Sequence, residues 1–268
     1  MEEKLGHIHP LSRTMDEIVR IFTELGFEVA LGPEIETEHY NFDALNVPEN
    51  HPARDMQDTF WLRGNQKGQL TIDKETIEGE LNSSHMSMVN GQKFLLRTHT
   101  SPVQIRYMEK SKPPLRIVVP GKVFRYEATD ATHETQFHQV EGLVVGEDVT
   151  MAEFKGTLEF FFKKLFGDDI KMRMRPSFFP FVEPGVEIDV SCFLCKGAGC
   201  NVCKRSGWIE VMGGGMVHPN VLQASGIDPR KYSGFAFGVG VDRLVMLKYG
   251  IEDVRLLYSG DLRLVNQF

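Results

Sequence analysis

The amino-acid sequence predicts an α+β protein, an antiparallel β-sheet flanked by helices at its ends and faces. Three observations carry that reading. Two apolar-periodic segments follow capping patterns, at residues 14–25 and 150–165. Several shorter segments alternate apolar and polar residues, at 170–175 and 235–241 among others. Neither nucleotide loop of the parallel α/β folds is present: no Gly-x-Gly-x-x-Gly follows a strand pattern, and no Gly-Lys-Ser/Thr occurs. With 268 residues and 41% apolar content, the chain can bury a substantial core.

The elements follow in order. Thr14 and Glu17 have the form of a capping box, and Met15, Ile18, Ile21, Phe22 and Leu25 then keep helical spacing up to Gly26. Residues 27–30 read as a short strand closed by Gly32 and Pro33. Residues 64–93 are polar, lack a clear period, and carry Asn-Ser-Ser and Asn-Gly turn signals, so they read as a surface insert or hairpin. Pro102 suits the first turn of a helix that runs to about Lys110. Two strands follow at 115–119 and 122–126, then another at 138–145. Thr150 and Glu153 cap a helix carrying Phe154, Leu158, Phe161, Phe162 and Leu165 on its apolar side. Residues 170–175 alternate Ile170, Met172 and Met174 against Lys171, Arg173 and Arg175, as a half-buried strand does. Strands at 188–190, 208–212 and 235–241 lead to a closing helix at 243–249 and a further helical turn after Ile251.

Charge and length exclude some functions. The net charge is −7, so any contact with RNA must rest on a local patch or on another subunit. No apolar run is long enough to span a bilayer, and residues 1–10 hold no signal-type stretch, which predicts a cytoplasmic protein without a membrane role. Four cysteines lie together between Cys192 and Cys203. In a cytosolic protein that clustering points to metal before disulfides.

Two constellations could carry chemistry. In the first, Arg125 and Glu127 share one strand face, as do Gln139 and Glu141, and a loop with His133 joins the two strands. Arginine suits bidentate phosphate contact and the acceptors suit an ammonium group. A solvated hairpin with cross-strand ion pairs is the alternative reading. In the second, Phe235, Phe237, Val239 and Val241 alternate with Ala236, Gly238, Gly240 and Asp242, and Arg243 follows. The nearly bare face leaves space either for a ligand or for a closely packed helix.

Together these elements resemble motifs 2 and 3 of class II aminoacyl-tRNA synthetases: Phe-Arg-x-Glu at 124–127, and Gly-x-Gly-x-Asp-Arg at 238–243. Residues 15–33 resemble motif 1. Asp242 stands where the family usually carries glutamate. The stretches 97–104, 178–184, 215–220 and 232–238 narrow the resemblance to the α subunit of bacterial phenylalanyl-tRNA synthetases, over residues 5–268. The resemblance implies one catalytic core across 1–268, activation of L-phenylalanine by ATP, and transfer to tRNA(Phe). It further implies an α2β2 assembly with a β subunit and a helical arm that this sequence does not contain.

Roles for residues follow from the same resemblance. Arg125 and Arg243 act in catalysis and hold ATP together with Glu127, His133 and Phe137. Magnesium accompanies ATP, with Glu183 and Glu210 as candidate ligands. His99, Ser101, Gln139, Glu141, Phe179, Phe181, Ala236 and Trp61 form the phenylalanine pocket. Without the family, the Phe-Pro-Phe run at 179–181 reads as plain core.

Cys192 and Cys195, then Cys200 and Cys203, form two Cys-x-x-Cys pairs, the pattern of a structural zinc site within a knuckle at 190–208. Free thiols are the alternative. A synthetase for tyrosine or a modified amino acid is one alternative, against which Ala236 with Phe179 and Phe181 favours phenylalanine, and two other functions compete with the synthetase reading. A paralogue that no longer charges tRNA would be expected to lose phosphate arginines or pocket residues, which are all present. A non-catalytic zinc-knuckle module would leave most of the chain unexplained.

Overall fold

The structure, a computed structural model, describes residues 6–54, 59–64, 70–72 and 92–268. Most of the polar stretch 64–93 lies outside them.

The core is a seven-stranded sheet in the order β1 (Glu28–Val29), β6 (Leu115–Phe124), β7 (Gln136–Gly146), β11 (Ser233–Gly240), β10 (Trp208–Val217), β9 (Val182–Ser191) and β8 (Met172–Phe179). The long strands pair antiparallel, as expected, but β1 joins the edge parallel to β6. A second sheet, not anticipated, runs in the order β2 (Ile35–Thr37), β5 (Phe94–Leu96), β3 (Trp61–Gly64) and β4 (Leu70–Ile72).

Residues 115–124 form one strand rather than two. Pro120 sits within it, facing Val140 on β7. Its missing N–H is tolerated because β6 is paired on its outer side only along the two residues of β1.

Helices cover one whole face of the sheet. The Pro10–Glu24 helix, the Met151–Phe166 helix and the Val241–Tyr249 helix pack there. Phe22 stacks on Phe161 with centroids 4.7 Å apart and meets Phe237 of β11 at 5.0 Å. Phe161 is fully buried, and truncating such a side chain to alanine costs about 3–5 kcal/mol.

The two capping expectations part here. Thr150 caps its helix as read, accepting from the Glu153 N–H. Thr14 does not: the helix starts one turn earlier at Pro10, capped by His9, and Thr14 is buried inside it. Proline at N1 supplies a start that outranks the capping-box pattern.

The opposite face is only half covered. The Ser101–Lys110 helix, the Pro219–Ala224 helix and a cluster around Phe42, Trp61 and Leu95 pack over β6 and the far end of β7. The rest of this face, across β7, β11, β10, β9 and β8, is the floor of a cleft.

Candidate active site

Strand register explains how the cleft is assembled. Residues directly opposite each other on neighbouring strands project to the same side of a sheet. Arg175 of β8 faces Glu187 of β9, which faces Gly213 of β10, which faces Gly238 of β11, which faces Glu141 of β7. One row further, Gly240 faces Gln139 and Arg173 faces Asp189. A single sheet face therefore runs from the carboxylate at Glu141 to the arginines of β8. The cleft above it has a volume of about 1100 Å³. Ligand clefts usually hold 300–1000 Å³, so this one has room for a nucleotide and an amino acid together.

At one end lies Glu141. It is buried, and Ser101 Oγ and Gln104 Nε2 each donate to it at 2.7 Å, with the Thr100 N–H at 3.2 Å. Burial pushes its carboxyl up to about 7, against those hydrogen bonds, which favour the ionised form. Gln139 is beside it, and His99 lines the same wall. Burial, with Arg125 and Arg97 nearby, drives the His99 imidazole down to about 3, so the ring is neutral. Arg97 itself is structural. It donates to the carbonyls of Gly32, Pro33 and Lys122 and so ties the motif 1 segment to β6.

Phe179, Phe181 and Ala236 line the cleft next to this group. Phe179 ends β8, and Phe181 lies in the tight turn into β9, so the pair flanks a turn rather than an extended chain. Their rings are 6.0 Å apart at 22°. Gly213 makes room for them, since a Cβ there would sit 2.7 Å from the Phe179 ring.

Arg125 stands on the β6–β7 side near His99, with its Nε donating to the Thr98 carbonyl at 3.4 Å, and the β8 arginines stand at the far edge. Arg125 follows β6 and keeps backbone pairing through its N–H to the Thr135 carbonyl. Its guanidinium lies 5.0 Å from the Phe137 ring centroid and 4.0 Å from Glu127. Arg243, His133 and Phe137 line the cleft as well. His133 is held by Asp130 at 3.0 Å.

The sequence reading missed the β8–β9 wall. Arg175 meets Glu187 at 2.9 Å, Asp189 at 2.8 Å and Glu210 at 3.2 Å. Arg173 shares Asp189 at 2.8 Å and lies over the Trp208 ring at 4.4 Å. Burial works to raise the Asp189 carboxyl, but its bonds from Arg175 and Arg173 outweigh that and hold it low. The alternation of Arg173 and Arg175 was visible in sequence. That their face overlooks a cleft was not.

Three expected residues stand elsewhere. Trp61 is buried near Phe42, with ring centroids 6.2 Å apart, in the cluster under the second sheet, and is not part of the cleft wall. Glu183 is exposed on β9 outside the cleft. Glu127 touches Arg125 but does not line the cleft. Asp242, grouped with the bare face of β11, is buried just beyond it. It accepts from the His138 N–H at 2.7 Å and from the Tyr258 hydroxyl, pinning β7 to the Val241–Tyr249 helix and to the segment at Tyr258.

Two metal sets can be tested against donor chemistry. The sulfurs of Cys192, Cys195, Cys200 and Cys203 lie within 4.8 Å of one another. Cys192 and Cys200 are 3.8 Å apart, as are Cys195 and Cys203. A tetrahedral zinc with bonds of ~2.3 Å separates its sulfurs by ~3.8 Å, so these four fit. The Gly199 and Cys200 N–H groups already donate to Cys195 and Cys203 sulfurs, at 3.2 and 3.1 Å, as suits thiolates. Glu187 and Glu210 on the cleft wall offer hard oxygen donors of the kind magnesium takes.

Comparison with known proteins agrees with this geometry. The family model described as "tRNA synthetases class II core domain (F)" matches residues 1–268. The phenylalanine–tRNA ligase α subunit of Caldanaerobacter subterraneus is 56% identical over 265 residues, spanning 99% of this chain and 70% of that one. Those of Enterococcus faecalis and Clostridium perfringens are 54% and 52% identical, spanning 98% and 100% of this chain and 68% and 70% of theirs. The pyrrolysyl-tRNA synthetase of Desulfitobacterium hafniense shares the fold, with a TM-score of 0.61 at 18% identity over 91% of this chain and 71% of its own. A cleft built from the strand faces of motifs 2 and 3, in a chain more than half identical to such relatives, places this protein in the class II aminoacyl-tRNA synthetase family, among the phenylalanine–tRNA ligase α subunits.

Proposed function

We propose that the cleft binds L-phenylalanine at Glu141 and ATP beside it along Arg125, Phe137 and Arg243, joins them as phenylalanyl-adenylate, and passes the phenylalanyl group to tRNA(Phe). What supports this reading is the strand register, which puts Gln139, Glu141 and Ala236 on the same sheet face as Arg173 and Arg175, with Phe179, Phe181, Arg125 and Arg243 lining the same cleft. Glu141 and Gln139 receive the ammonium, Ser101 and His99 support that end, and Phe179, Phe181 and Ala236 enclose the ring.

The chemistry needs no covalent enzyme intermediate. A phenylalanine carboxylate oxygen attacks the α-phosphorus, the bond to the bridging oxygen breaks, and pyrophosphate leaves. The terminal ribose hydroxyl of tRNA then attacks the carbonyl carbon and AMP leaves. Arg125 stabilises the charge that builds on the α-phosphate, and such preorganised stabilisation is commonly the largest catalytic contribution. Phe137 and Arg243 take opposite faces of the adenine, with His133 bordering the nucleotide and Glu127 beside Arg125. Magnesium supplies charge neutralisation on the phosphates when bound, and Glu210 and Glu187 are the residues that would hold it. Zinc in the four-cysteine knuckle is structural, and the other partner is a β subunit in an α2β2 assembly. The cytoplasm, where translation enzymes work, is the expected location, and none of the described helices is long and apolar enough to cross a membrane.

The test is amino-acid-dependent exchange of pyrophosphate into ATP, with and without the β subunit. Exchange with phenylalanine but not tyrosine, lost in Arg125→Ala, is expected. No exchange with any amino acid in the assembled enzyme would overturn the reading.

A further inference from the structure

The cysteine knuckle projects at the mouth of the cleft. Val202, Cys203, Lys204 and Ser206 line that mouth together with Arg173 and Trp208. The segment from Ser191 to Ile209 carries Lys196, Lys204 and Arg205 and no carboxylate, on a chain whose net charge is −7. All three cations are exposed and all three have left-handed backbone, with φ of 50°, 48° and 62°. Among the described residues none of them forms an ion pair, whereas Arg173 and Arg175 on the adjoining wall are both held by carboxylates. Paired arginines are already satisfied; unpaired cations remain available to a phosphate.

The backbone under these cations is tightly tied. The Arg205 N–H donates to the Cys200 carbonyl at 2.8 Å, and Ser206 Oγ donates to the Cys203 carbonyl at 2.6 Å. The knuckle also exposes two apolar tips, Leu194 at 51% and Val202 at 50%. Cations interleaved with exposed apolar surface suit a single-stranded nucleic acid, whose phosphates and unpaired base faces alternate.

We propose that the knuckle is a metal-stapled basic finger that grips the single-stranded acceptor end of tRNA, through Lys196, Lys204 and Arg205, as that end enters the cleft. The proposal rests on the tRNA-charging reading for its ligand, because the end that receives phenylalanine must pass this mouth to reach the adenylate. It also answers the difficulty set by an acidic chain, which needs a local patch for RNA. Electrostatic contacts of this kind carry affinity without sequence discrimination.

The test measures tRNA binding directly, on the α–β enzyme, across a salt series. The Lys196→Gln/Lys204→Gln/Arg205→Gln variant is expected to bind tRNA about tenfold more weakly, and its salt slope is expected to fall by about two, at ~0.7 per phosphate contact on a single strand. The Lys196→Arg/Lys204→Arg variant keeps the charge and retains unaltered affinity. The Lys196→Gln/Arg205→Gln pair, off the cleft wall, leaves phenylalanine-dependent pyrophosphate exchange unchanged. Unchanged tRNA affinity and salt slope in the triple variant would overturn the proposal. So would a loss of exchange in the Lys196→Gln/Arg205→Gln pair, with a raised KM for ATP, since the cations would then serve the nucleotide. Absence of exchange in the unaltered enzyme would count against the activation chemistry alone, because tRNA binding is read separately.

Discussion

At the Glu141 end of the cleft, one carboxylate is buried among neutral donors; at the Arg175 end, Arg173, Arg175, Glu187 and Glu210 stand part-exposed and pair with one another and with the buried Asp189. The two ends share a sheet face but not a physics. A lone buried carboxylate is held near neutrality by desolvation and gains most when a cation arrives to replace the lost water. The paired wall keeps its charges ionised and is already compensated, so its members could exchange partners at low cost with the proposed phosphates and metal.

Four measurements sharpen or break that contrast. The largest effect is expected from Arg125→Ala, which removes the charge proposed to face the α-phosphate. The rate of adenylate formation is expected to fall about 100- to 1000-fold, with little change in the KM for phenylalanine. A rise in that KM with kcat intact would mean Arg125 binds rather than stabilises.

Next comes Glu141→Gln. Truncating one partner of a buried charge pair costs about 2–5 kcal/mol, so phenylalanine affinity is expected to drop at least 30-fold. Calorimetric binding of phenylalanine reads this directly, and an unchanged Kd would remove Glu141 from the pocket.

Acidity gives a third test. The Glu141 carboxyl in the fold sits at about 7, above its ordinary value. Its ionised form, the one proposed to hold an ammonium, is about half-populated at pH 7, approaches completion well above it and falls away below. Phenylalanine affinity is therefore expected to fall by up to tenfold per pH unit from pH 7 towards 5, and the fall is expected to vanish in Glu141→Gln. The unliganded fold behaves oppositely. A raised carboxyl contributes stability below its unfolded value that is lost as pH rises through about 7. Phenylalanine is thus expected to raise Tm more at pH 8 than at pH 6. Equal shifts at both pH values would contradict the buried-carboxylate account.

The smallest effect is expected from Gly213→Ala. The new methyl would meet the Phe179 ring at 2.7 Å, and moving that ring is expected to raise the KM for phenylalanine a few-fold while leaving the KM for ATP unchanged. A shift in the ATP constant instead would place Phe179 on the nucleotide side.

Much of this molecule was legible in its residues. Alternation on β11 separated Phe235, Phe237 and Val239 from Ala236, Gly238 and Gly240, and the structure buries the first set and opens the second to the cleft. Thr150 and Glu153 announced a helix start that is there. The four cysteines announced a cluster whose sulfurs do converge. These features are local: pleat, cap and spacing act over a few residues, so the chain encodes them without reference to its distant parts.

What lies over a face is a different matter. Lys171, Arg173 and Arg175 alternate like any solvated strand edge, and only the uncovered stretch of sheet beyond the Ser101–Lys110 helix turns Arg173 and Arg175 into a cleft wall. Glu210 depends on register. A bulge between Glu210 and Met212 shifts the pairing of β10 with β9, so that Glu210 faces Asp189 and joins the cleft face with Gly213. Without the extra residue it would point to the other side, because a one-residue slip reverses every side chain. Trp61 is the converse, an aromatic near the pocket in sequence logic that the second sheet draws into its own core. The sequence by itself determined periodicity, caps and cysteine spacing. The tertiary structure alone decided which faces stay uncovered and which strand slips by one, because both depend on contacts between segments far apart in the chain.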